Sequence, residues 1–170
     1  MKNLSTHPSP DWSVYLINLL SGAAMVLSFA PWHWHYCALL LMAGLYTKWQ
    51  SLSPKKAWWA GYCFGLGLFV CGTWWVFIAI HSPIYGIQST LLAGIITLVF
   101  SLWLSCFPAL AIWSLQKLAA QQSFFKSALL FPSLWVLSEW LRGYLLTGFP
   151  WMSLGYSQLN TPIENFAPLF

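Results

Sequence analysis

Five long apolar runs dominate the chain, at residues 12–30, 36–49, 57–80, 90–115 and 127–146, separated by short polar or aromatic interruptions. Runs of this kind read as helices crossing a hydrocarbon core about 30 Å thick, which takes roughly 20 apolar residues. The second run is short for that task and borrows from its aromatic flanks. The pattern predicts an all-α transmembrane fold: five membrane-spanning helices, then a loop and the start of a sixth helix in 161–170. Residues 1–11 are polar, carry Pro8 and Pro10, and are expected to form a short tail, leaving 12–170 as one membrane domain. A signal peptide competes for the first run, because Ser28-Phe29-Ala30 resembles a small-residue cleavage site. The length of that run, the single lysine before it and the spans after it favour a membrane helix.

Finer marks lie inside the runs. Gly61 and Gly65 stand four apart, a small-residue pair that lets another helix approach closely. Pro108 predicts a kink in the fourth run, and Pro132 is expected in the first turns of the fifth.

Composition fixes the class. The chain is 59% hydrophobic and 6% charged, against roughly 25% charged for a soluble domain, so it is expected in a membrane. Thirteen Trp and seven Tyr suit the bilayer interfaces, where such rings collect. The net charge of +4 sits on scattered lysines without a basic patch, which speaks against nucleic acid. Lys2, Lys48, Lys55, Lys56, Lys117 and Lys126 fall in alternate loops, while 31–35 and 81–89 hold no Lys or Arg. By the positive-inside rule the N-terminus is cytoplasmic, and the segment after the fifth run lies at the outer face, which is periplasmic in a bacterium.

Cys37, Cys63, Cys71 and Cys106 lie in apolar runs without a CxxC. They are expected to be buried small hydrophobes, with disulfides or a metal site as the competing readings. His33, His35 and His81 fall in outer loops and could bind a metal. No carboxylate or cysteine is placed to complete that site, so interfacial polar residues are the preferred reading. No hydrolase, zinc or phosphate-loop motif occurs, and no metal or cofactor is expected.

The most distinctive stretch is 138–158, SEWLRGYLLTGFPWMSLGYSQ. Glu139 and Arg142, the only arginine, share a helix face three residues apart and are expected to pair. Such a pair marks a functional site by default, or else an interfacial pair that fixes helix depth; the residues alone leave both open. Gly148 and Pro150 then end the helix.

That stretch, with the following P-I-E-N-F-A-P, resembles the membrane part of bacterial apolipoprotein N-acyltransferases. Ser28-Phe29-Ala30-Pro31, the segment 61–69, Trp74 and Val76 agree with it, in order along nearly the whole chain. The resemblance implies a multi-pass protein of the bacterial inner membrane that works at the last step of lipoprotein maturation. An acyl chain passes from a phosphatidylethanolamine-like phospholipid to a cysteine as a thioester, releasing lysophospholipid. It then passes to the α-amino group of a diacylglyceryl-cysteine at a lipoprotein N-terminus. The chemistry belongs to a nitrilase-like domain with a Glu-Lys-Cys triad, which these 170 residues lack. No catalytic residue is carried over, and the chain is expected to be truncated and inactive alone. What carries over as support for the lipid-facing site is Glu139, Arg142, Gly143, Thr147, Gly148, Phe149, Pro150, Trp151, Gly155, Tyr156, Ser157 and Gln158. The alternative is a non-enzymatic membrane subunit that binds lipid or lipoprotein. A small transporter is weaker, because the spans carry almost no other ionisable residues.

Overall fold

The computed structural model describes residues 11–82, 86, 88–118 and 124–169. Residues 1–10 of the expected tail, with Lys2, and Pro83 of the second outer loop lie outside the described residues. Among the described residues the protein is helical throughout, with no strand. Helix α1 (Asp11–Met25) runs into a 3-10 turn (Val26–Ser28), and α2 (His35–Trp49) follows. Next come α3 (Pro54–Gly72), α4 (Trp74–Ile80), α5 (Thr90–Leu104), α6 (Cys106–Leu118) and α7 (Phe124–Tyr144). Three 3-10 turns close the chain, at Leu145–Thr147, Leu154–Gln158 and Pro162–Leu169.

Helix α3 is the axis of the fold, and glycines on two of its faces explain why. On one face, a Cβ at Gly61 would stand 2.8 Å from the Cα of Ala109, and one at Gly65 would stand 2.8 Å from the Cα of Ser105. The expected glycine pair is thus the seat of α6. On another face, a Cβ at Gly67 would fall 2.0 Å from the carbonyl oxygen of Leu19, and one at Gly22 would fall 1.9 Å from that of Phe64. No side chain fits at either point, so α1 and α3 touch backbone to backbone, which maximises dispersion contact between them.

Trp49, fully buried, anchors the other end of α2. Its ring lies 5.8 Å from Phe64, 5.8 Å from Phe131 and 6.5 Å from Trp135. Its indole N–H donates to Asn18 Oδ1 at 2.8 Å, and its carbonyl accepts from Gln116 Nε2 at 2.7 Å. Satisfying these buried groups joins α1, α2 and α6 at the end that carries Lys48 and Lys117.

The structure corrects or refines four expectations. The third run is not one straight helix; it bends by 48° at Thr73, whose hydroxyl donates to the carbonyl of Phe69 at 2.6 Å beside the backbone N–H of Thr73 at 2.9 Å. The fourth run, one span from Thr90 to Leu118, is interrupted at Ser105, so the expected disturbance from Pro108 sits three residues before the ring. Proline has no N–H for the carbonyl four residues earlier, so the disturbance appears upstream of the ring. Pro132 lies inside α7, not in its first turns. The last stretch forms a 3-10 helix, Pro162–Leu169.

Thr90–Leu118, 29 residues, is long and apolar enough to cross a membrane, and α3 with α4 makes a second such span if the bent pair counts as one. The run at 36–49 becomes a 15-residue helix of about 22 Å, shorter than the core.

Candidate functional site

Helix α7 ends at Tyr144 with a sharp reversal. Leu146 (φ 51°), Thr147 (φ 75°) and Gly148 (φ 78°) all take left-handed backbone angles. Gly148 is required there: a Cβ would lie 1.9 Å from the carbonyl oxygen of Gly143. The reversal is closed by the Phe149 N–H donating to the Arg142 carbonyl at 2.9 Å. It folds residues 149–154 back over the last turns of α7.

Arg142 and Glu139 hold that loop, but not as the ion pair their spacing predicts. Arg142 is 2% exposed. Its Nη1 donates to the carbonyls of Phe149, at 2.7 Å, and Trp151, and its Nη2 donates to Ser153 Oγ at 3.0 Å. The guanidinium also lies over the Phe69 ring, 5.2 Å from its centroid. Glu139 Oε1 accepts from Trp135 Nε1 at 2.9 Å and from the Leu154 N–H at 2.8 Å. Among the described residues no hydrogen bond or ion pair joins the two directly. The reversal delivers backbone acceptors to the guanidinium and a backbone donor to the carboxylate, so the loop dipoles satisfy each charge beside the through-space attraction between the two.

The rest of the motif ties the loop to α2. His35 Nδ1 lies 2.7 Å from the Ser157 carbonyl oxygen, and Gln158 Nε2 donates to the His35 carbonyl at 3.3 Å. Ser157 Oγ, fully buried, donates to the Leu154 carbonyl at 2.7 Å. Not every expected residue contributes. Gly155 has open space around it, so nothing in the structure explains a glycine there. Thr147 is exposed and touches no other part of the site. Gly143 does receive Pro150, whose Cβ lies 4.0 Å from where its own would be.

Beside this loop opens an apolar groove of about 670 Å³, within the range of small-molecule sites. Three segments far apart in sequence line it: Val26–Trp32 after α1, Cys71–Trp75 at the α3–α4 bend, and Pro150–Leu159. Phe29 and Met152 are buried and floor it, whereas Trp32, Trp74, Trp75, Trp151 and Tyr156 are about half exposed and form its walls. Trp75 meets the tilted ring of Trp151 at 5.5 Å and stacks on Phe149, behind the wall, at 6.4 Å. No charged side chain lines it. Such a surface can take a hydrocarbon chain and offers a phosphate nothing.

The cysteines are less buried than expected. Cys71 is exposed at the groove, the other three are half-buried, and all four are free thiols. The apolar runs predicted burial, yet Cys37, Cys63 and Cys106 reach it only in part and Cys71 not at all. His33 and His35 approach with ring centroids 5.7 Å apart, and His35 serves the loop as described. Among the described residues no group of three or more His, Cys, Asp or Glu side chains is placed to hold a metal ion.

Residues 21–170 match the family model described as the apolipoprotein N-acyltransferase N-terminal domain. The chain is 41% identical over 161 residues to the apolipoprotein N-acyltransferase of Pseudomonas putida, covering 94% of this chain and 32% of that protein. To that of Azotobacter vinelandii it is 42% identical over 161 residues, covering 94% and 31%. To that of Coxiella burnetii it is 40% identical over 156 residues, covering 91% and 32%. The chain therefore spans about a third of the length of these relatives.

Proposed function

We propose that this chain, which belongs to the apolipoprotein N-acyltransferase family, supplies the membrane-embedded, lipid-facing part of a phospholipid:apolipoprotein N-acyltransferase of the bacterial inner membrane. In this reading the apolar groove receives an acyl chain of the donor phospholipid, and the loop 149–158 forms its wall. The observation that carries it is the coupling of the two. The same Arg142 and Glu139 that fold the loop back over α7 also set Pro150, Trp151 and Met152 against Gly72 and Trp75.

The direction of the fold supports an orientation. Helix α2 runs from His35, joined to the 154–158 turn, to Trp49, joined to Gln116. The lysine-bearing ends of α2 and α6 therefore lie about 20 Å or more from the groove. A basic end and an aromatic-walled end on one bundle fit a cytoplasmic N-terminus and a periplasmic groove. The many exposed Leu, Ile and Val of α5 and α7 fit lipid contact around five spans. Domain 12–170 then acts as one membrane unit, and the acceptor is the amino group of a lipoprotein's diacylglyceryl-cysteine.

The thioester step needs an activated thiolate with a partnered base. Cys37 and Cys106 turn their thiols to the helix carbonyls of Ala24 and Leu102, each at 3.8 Å, and not to a base. Acyl transfer is accordingly assigned to sequence that the relatives have beyond this third, and the chain alone is inactive. The test is a chimera in which residues 21–170 replace the matching segment of a full-length relative. The expected result is N-acylation of a diacylglyceryl peptide at a rate comparable with the parent, with no lysophospholipid release by the 170-residue chain alone. An inserted, folded chimera that transfers no acyl group would overturn the reading.

A further inference from the structure

Pro150 also borders a second, open cavity of about 530 Å³, lined by Val136, Glu139, Trp140, Gly143, Tyr144 and Ser153. Its chemistry differs from the groove. Both hydrogen bonds to the Glu139 carboxylate go to Oε1. Oε2 has no hydrogen-bond partner among the described residues. It is also not a sealed orphan, since the Tyr46 hydroxyl is the one buried side-chain oxygen or nitrogen found without a partner there. Glu139 itself lines the cavity. Trp140 and Tyr144, 55% and 70% exposed, stand beside it with ring centroids 4.8 Å apart.

A carboxylate oxygen next to two electron-rich ring faces is a receptor for an organic cation. Arg142 acts on this carboxylate only through space, so Oε2 gains most from a cation that brings its own N–H donors. We propose that this cavity binds the ammonium of a zwitterionic lipid headgroup, with Glu139 Oε2 as counter-ion and Trp140 and Tyr144 as the aromatic walls. A headgroup fits better than a soluble amine, because exposed Trp and Tyr belong at the bilayer interface and because Pro150 borders both cavities. One lipid can lay its tail on one side of that ridge and its amine on the other. For the source of the ammonium the assignment rests on the acyl-donor reading above.

The test uses the chain in nanodiscs of phosphatidylethanolamine and phosphatidylglycerol in equal amounts, followed by mass spectrometry of the lipids that remain bound. Glu139→Gln is the informative variant. Its amide oxygen keeps the bonds from Trp135 and Leu154, and only the charge at Oε2 is lost. We expect phosphatidylethanolamine enriched about 3- to 10-fold over bulk, the range of one desolvated cation–π and ionic contact. Glu139→Gln, and separately Trp140→Ala with Tyr144→Ala, should return the ratio to near bulk. N-acetylated phosphatidylethanolamine, which has no cation, should show no enrichment on the wild-type chain. Enrichment unchanged in Glu139→Gln, or equal for the N-acetylated lipid, overturns the proposal. Retention of an amine-terminated lipopeptide without headgroup preference overturns the lipid assignment. Tight retention of both phospholipids without preference sinks the headgroup site and leaves the acyl groove standing; no retained lipid at all contradicts both.

Discussion

Replacing Arg142 with Ala removes a donor set that nothing nearby can replace. The carbonyls of Phe149 and Trp151 lose their guanidinium partner inside a nearly closed site, and leaving one such group unsatisfied costs about 1–3 kcal/mol. The Phe69 contact adds about 1 kcal/mol. Ser153 Oγ keeps its bond to the Pro150 carbonyl at 2.8 Å, so its loss is small. Against this stands the relief of a buried cation, which offsets part of the total. The net expectation is a destabilisation of about 2–4 kcal/mol, or roughly 5–15 °C in midpoint, read by thermal unfolding in detergent micelles. Arg142→Lys should recover less than half, because an ammonium cannot span acceptors on Phe149, Trp151 and Ser153 as a planar fork does. Glu139→Gln should cost under about 1 kcal/mol, since Gln keeps both hydrogen bonds of Oε1. An ion pair would behave differently, with Glu139→Gln costing about as much as Arg142→Ala. That equality, or an Arg142→Ala midpoint equal to wild type, would refute the loop-clamp account.

Gly148→Ala should destabilise by about 2–4 kcal/mol and expose the loop to proteolysis, because its φ of 78° and its contact with Gly143 exclude a Cβ; a protease-resistant, wild-type-like variant would contradict this. Gly67→Ala should cost about 1–3 kcal/mol in the same unfolding assay by pushing α1 off α3. Gly44→Ala, in helix α2 with open space around it, should instead stabilise by up to about 1 kcal/mol. Tyr46→Phe removes a buried hydroxyl without a partner while keeping the ring packed 4.9 Å from Phe131. A midpoint raised by about 1 kcal/mol is expected, and a lowered one would mean that the hydroxyl is satisfied.

The sequence shows some of these features and hides others for definable reasons. Gly61 and Gly65 were legible because both lie on one helix at a spacing that needs no partner to be named. The Gly22–Gly67 contact was not, since each glycine means little until α1 and α3 cross. Glu139 and Arg142 stand out in the sequence, yet spacing along a helix reports only which side chains are near. The acceptors that capture Arg142 arrive after the left-handed reversal at Leu146–Gly148, and non-glycine residues at Leu146 and Thr147 give no warning of it. Trp32, Trp74, Trp75 and Trp151 were visible as interfacial aromatics. That they wall one groove depends on the 48° bend at Thr73, which turns Trp74 and Trp75 toward the loop. The cysteines show the limit of hydropathy: it locates apolar runs but cannot say which face of a helix looks outward.

The central claim, that the groove holds a phospholipid acyl chain, is tested most directly by photolabelling. A phospholipid with a diazirine near its acyl terminus is reconstituted with the chain in nanodiscs, irradiated, and the adducts are mapped by peptide mass spectrometry. Adducts should concentrate on the three groove segments, 26–32, 71–75 and 150–159, and fall away there in Arg142→Ala. Labelling spread over the exposed faces of α5 and α7, with none in the groove, would contradict the account.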